Sequence, residues 1–211
     1  MFFALAGLLE LSATIPYLRD ILRGRTRPAL TTWGVWLLLA LFTCAAAIFA
    51  GAYSSAVISG AVAIECLLVV LLAMRFKNFT FKKFDIVCIL GVIFGLFAWW
   101  ITKDPVEALV IAVIIDAIGA FPTIRHALLR PKEETIWLFV LGTLASISAL
   151  VAAGEPKFSN VLVPVYLILL NTILTLIIFF GSRAKEMQEK MSLAPLQALP
   201  HRYSARMRHH I

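Results

Sequence analysis

The chain has 211 residues, of which 61% are hydrophobic and only 15% charged, and its mean hydropathy is +0.92. These values exclude an ordinary water-soluble domain of this length. The formal charge of +7 raises nucleic acid as a partner, but basic loops beside anionic lipid account for the same excess, and no nucleic-acid role is expected.

Seven apolar runs follow one another, at about 2 to 20, 30 to 50, 54 to 74, 85 to 101, 105 to 128, 135 to 153 and 160 to 182. A helix needs about 20 mostly apolar residues to cross roughly 30 Å of hydrocarbon. Only helices or closed barrels satisfy backbone groups in lipid, and unbroken runs rather than ten-residue alternation select helices. The first run carries Glu10 and Pro16 and lacks a basic leader, so it is expected to remain as a helix and not to be cleaved as a signal. Trp33, Trp36 and Trp137 fall near one interface and Trp99 and Trp100 near the other, as an aromatic belt would. The third run holds Glu65. The sequon Asn78-Phe79-Thr80 follows it, in a loop expected on the cytoplasmic side and so without sugar. Asp104-Pro105-Val106-Glu107 supplies N-cap, N1 and N3 chemistry for the fifth helix. That helix holds Asp116 and Pro122, and the seventh run holds Asn171. From Ala184 a charged helical segment begins, which Pro195 and Pro200 are expected to interrupt.

Charge orients the bundle. Arg19, Arg23, Arg25 and Arg27 follow run one; Arg75, Lys77, Lys82 and Lys83 follow run three; Arg125, Arg130 and Lys132 follow run five. The tail adds Arg183, Lys185, Lys190, Arg202, Arg206 and Arg208. Seven spans put all of these on one side and leave Lys103 and Lys157, of 19 Lys and Arg, on the other. The positive-inside rule then sets the N-terminus outside and the tail in the cytoplasm, in what is expected to be a bacterial inner membrane.

Shifting the chain by 106 residues exposes a repeat. LELSATIPYLRDIL, 9 to 22, falls on IDAIGAFPTIRHAL, 115 to 128, so that Glu10 meets Asp116, Pro16 meets Pro122 and Arg19 meets Arg125. At the same offset Glu65 meets Asn171. The expected organisation is a first three-helix repeat at 1–80, a linker helix at 81–103, a second three-helix repeat at 104–183 and a basic tail at 184–211. Because both halves start outside, the repeats are parallel, related by an axis along the membrane normal.

On topology and on the segments IPYLRDILRGRTRPALTTW and FPTIRHALLRPKEETIW, the chain resembles the PQ-loop and SWEET transporter superfamily over about 2 to 182. The family's Pro-Gln dipeptides are here Pro16-Tyr17 and Pro122-Thr123, a divergent form that lacks both glutamines. The resemblance implies hinge prolines at a cytoplasmic gate and a central site faced by an asparagine from the third helix of each repeat. Asn171 matches one such position and Glu65 occupies the other, which argues against a plain sugar facilitator.

Glu10, Glu65, Asp116 and Asn171 each sit roughly 12 to 18 Å into their spans, near mid-bilayer. A carboxylate facing lipid there costs about 2.5–3.5 kcal/mol, so these groups are expected to face inward. They are the candidate substrate and ion site, binding solute, protons or cations; Pro16, Pro122, Arg19 and Arg125 are the candidate gate. The expected function is small-solute transport by alternating access. The alternatives are a non-transporting membrane subunit or scaffold, or a receptor on the same fold, and a homo-oligomer or larger membrane complex stays open. Enzyme motifs are missing: there is no HExxH, phosphate-binding glycine loop or nucleophile and base pair. No cofactor or metal is expected, since Cys44, Cys66 and Cys88 form no CxxC pair and read as packing residues. The last span has no lysine for a retinal Schiff base.

Overall fold

The computed structural model describes residues 2–24, 28, 30–76, 83–154 and 156–197. The sequon, Arg25, Arg27, Lys77, Lys82, Arg202, Arg206, Arg208 and Pro200 lie outside the described residues. Among the described residues seven α-helices make up the fold: α1 (Phe2–Leu22), α2 (Leu30–Phe49), α3 (Tyr53–Ala73), α4 (Lys83–Thr102), α5 (Pro105–Leu129), α6 (Ile136–Ala152) and α7 (Phe158–Gln197). There is no strand among the described residues. Six of these helices are long and apolar enough to cross a membrane, so the protein is membrane-embedded. α6, with 17 residues, is about 25 Å long and falls just short of that length.

Local chemistry sets the helix ends. Asp104 caps α5 as expected, its Oδ1 accepting from the Val106 N–H at 2.8 Å, with Pro105 in the first turn. α2 stops at Gly51, which takes a left-handed φ of 66°; Ala52 N–H then donates to Ala47 O and Gly51 N–H to Ile48 O, closing the orphan carbonyls. Gly154, at φ 65°, follows α6 in the same way. α7 runs on through Pro195, where an interruption was expected, to Gln197. Lys185, just past its apolar part, donates to the last-turn carbonyl of Leu129 on α5 at 2.5 Å.

α3 lies between α1 and α2, and α7 lies between α5 and α6. Across the bundle α1 packs on α6, α2 on α5, and α3 on α7. α4 stands outside this set, against α5 and α2. Its Gly91 and Gly95 permit that approach: a methyl on Gly91 would come 2.9 Å from Ile115, and one on Gly95 would come 3.0 Å from the Phe42 ring. The perimeter is apolar and exposed, with Leu8, Ile15, Phe94, Trp100 and Phe180 turned outward, as contact with acyl chains requires.

One end of the bundle is close-packed. Ala6, Ala47, Ala52, Ile58, Ala108, Leu109 and Ala149 are buried there. At the starts of α3 and α7, Ser54 Oγ donates to Asn160 O at 3.0 Å and Ser55 Oγ to Ser159 O at 2.8 Å. Small side chains let the backbones approach closely enough for these bonds.

Candidate functional site

A cavity of about 160 Å³ lies inside the bundle and reaches toward the opposite end, where α2 and α6 begin. Glu10, Glu65, Asp116 and Asn171 all line it. They come from α1, α3, α5 and α7, and they are joined by stripes at helical spacing: Ser59, Val62 and Cys66 on α3, and Val163, Tyr166, Leu167, Leu170 and Leu174 on α7. α2 and α6 supply the aromatic and apolar remainder, among it Trp33, Trp36 and Phe139, while α4 contributes no described lining residue. No Lys, Arg or His among the described residues lines the cavity.

Glu10 and Glu65 are each only 6% exposed. Glu10 Oε2 is buried and has no hydrogen-bond partner among the described residues; Ser59 Oγ, in a residue 3% exposed, is in the same position. An acceptor left unpaired in a low-dielectric interior costs roughly 1–3 kcal/mol, and more if it is charged. Beside Glu10 stands Gly142 of α6, where a methyl would lie 2.8 Å from Asn171 Nδ2 and 3.7 Å from Glu10 Oε2. The glycine therefore leaves space that both the amide and the carboxyl border. Asp116 has a dedicated partner, the Tyr166 hydroxyl, which donates to its Oδ2 at 2.7 Å.

The residues expected to form a gate are placed differently from those expected to form the site. Pro16 and Pro122 sit inside continuous helices, half-buried, and do not themselves line the cavity. Of the residues after them, Thr123 lines the cavity, and Tyr17 packs tilted at 5.2 Å against the cavity-lining Trp33, which meets Trp36 edge-on at 5.2 Å. Arg19 and Arg125 are exposed at the same end and do not line the cavity.

The belt reading of Trp33 and Trp36 is corrected. Trp33 is 8% exposed, and both indoles form part of the cavity wall and not a ring at the lipid interface. Trp137 and Trp100 are exposed on the perimeter, and Lys103 Nζ lies 5.3 Å over the Trp100 ring. Cys66, read as a packing residue, also lines the cavity; all three cysteines are free thiols. Tyr166 and Ser59 were missed. For Tyr166 the available signal was a phenol deep in an apolar span, which needs a hydrogen-bond partner.

At the α5–α6 connection His126 Nδ1 lies 2.6 Å from Glu134 and its Nε2 lies 3.3 Å from Glu133, which also pairs with Arg130. Pro131 is fully buried there, against Gly181 of α7. This cluster ties the end of α5 to α7 and stands apart from the cavity.

Taken together, these features define a helical membrane protein with an acid-lined cavity in its interior. No protein-family model, no curated protein and no solved structure matches the chain.

Proposed function

We propose that the protein is a small-solute membrane transporter that works by alternating access, with protons or cations bound at its carboxyl groups. In this reading it is a divergent relative of the PQ-loop and SWEET transporters. Two parallel three-helix repeats, α1–α3 and α5–α7, are joined by α4 in a 3+1+3 arrangement, with the N-terminus outside and the tail in the cytoplasm. The neighbour pattern favours this arrangement: α3 is flanked by α1 and α2 as α7 is flanked by α5 and α6, and the cross-bundle pairs α1·α6 and α2·α5 exchange under the repeat.

The single observation that carries the reading is the convergence of Glu10, Glu65, Asp116 and Asn171, far apart in sequence, on one cavity. Buried acids facing a cavity rather than lipid mark ion and substrate paths in membrane proteins. The sealed end at Ser54 and Asn160, against a cavity extending to the α2 and α6 starts, fits a conformation turned toward the cytoplasm. Tyr17, Trp33 and Trp36 would form the gate there, with Pro16 and Pro122 as hinges in their helices. The test is uptake by the purified chain in proteoliposomes at several pH values. Glu65→Gln is expected to abolish uptake or its pH dependence, and uptake with unchanged pH dependence in that variant overturns the role of Glu65.

A further inference from the structure

We propose that the cavity takes a small protonated primary amine that carries no carboxylate. This deepens the transporter reading and rests on it for the cavity's role. The first argument is charge. Three carboxyl groups and no Lys, Arg or His among the described residues line the cavity, so the carboxylate of an anion or an amino acid finds no cationic partner in it. A neutral polyol leaves the acids uncompensated.

The second argument is hydrogen bonding. Glu10 Oε2 and Ser59 Oγ, each in a residue more than nine-tenths buried, are on the wall without a partner among the described residues. A primary ammonium brings three N–H donors for unpaired oxygens of this kind; a quaternary ammonium brings none. The walls offer more to the same cation, since Trp33, Trp36, Phe139 and Tyr166 line the space and aromatic faces attract ammonium groups. A bare metal ion fits less well, because no three or more His, Cys, Asp or Glu among the described residues converge closely enough to hold one. The acids are spread around the wall, as contact with an organic cation of several carbons would have them, and about 160 Å³ admits one.

The experiment uses the full chain in detergent, with binding read by calorimetry and by the shift in unfolding temperature. The probes are butylamine, butane-1,4-diamine, tetramethylammonium, lysine and glucose. The two primary amines are expected to bind, with tetramethylammonium and lysine weaker by roughly tenfold or more and glucose without effect. Glu10→Gln is expected to weaken amine binding roughly tenfold and Ser59→Ala roughly threefold. Should Glu10→Gln fail to fold, Ser59→Ala carries the comparison. Equal affinity for lysine or glucose, no binding of either amine, or amine affinity unchanged in the variants that fold overturns the proposal. The same solutes offered to proteoliposomes separate it from the transporter reading. Amine binding without flux leaves the cavity assignment standing and overturns transport, whereas flux of a sugar or amino acid without amine binding does the reverse.

Discussion

Glu10 holds a carboxyl oxygen in the interior without a hydrogen-bond partner among the described residues, an arrangement that packing alone disfavours. A residue retained at a cost to folding is expected to relax when its polarity is removed. Glu10→Met, close in length and fully apolar, is predicted to raise stability in detergent by about 1 kcal/mol while abolishing uptake. A fall in unfolding temperature would instead mean that the carboxyl holds helices together. Gly142 makes a second test at this scale. Its missing side chain leaves a space that Asn171 and Glu10 both border, so Gly142→Ala must displace the Asn171 amide. A loss of about 1–3 kcal/mol is expected. Adding Asn171→Ala should recover part of it, giving a coupling of about 0.5–3 kcal/mol in a double-mutant cycle, and strict additivity would place the strain elsewhere.

Helix ends were largely readable from local chemistry, because capping depends on residues adjacent in sequence. The Asp104 cap is the clearest case, and Asp104→Ala is predicted to cost about 1 kcal/mol, visible as faster amide exchange in the first turn of α5. Exchange confined to the rest of the helix would contradict it. α7 differs from expectation because Pro195 lies inside it and does not end it. The 40 residues of α7 amount to about 60 Å, so it extends well beyond a bilayer core, and Lys185 fastens its emerging part to the end of α5. The faces of the helices were harder to read. In a span that is apolar all round, no polar side marks which way it turns, and so Trp33 and Trp36 passed for interfacial residues while their rings form the cavity wall.

For the molecule as a whole, the alternating access proposed above requires the close-packed end to open. Ser54 and Asn160 meet across it, joining α3 to α7. With Cys44, Cys66 and Cys88 replaced by alanine, Ser54→Cys and Asn160→Cys bridged by a short bifunctional crosslinker are expected to stop uptake. Cleavage of a reducible linker should restore it. Uptake that continues at full rate through the crosslink would show that this end does not move.

Run length and composition are local properties matched to the bilayer, so the chain alone indicated seven helices, the limits of α1 to α6 to within a few residues and the membrane as their solvent, while the end of α7 at Gln197 was not legible in it. It also singled out Glu10, Glu65, Asp116 and Asn171, because a polar group in the middle of an apolar run must be accommodated somewhere. Packing in three dimensions settled the rest: the four share one cavity, Tyr166 holds Asp116, Gly142 borders both Asn171 and Glu10, and Ser59 stands there with its hydroxyl unpaired among the described residues. Those facts depend on how each helix is rotated against neighbours far away in the chain, and rotation is set by the packing of both partners together, which the pattern of a single helix does not contain.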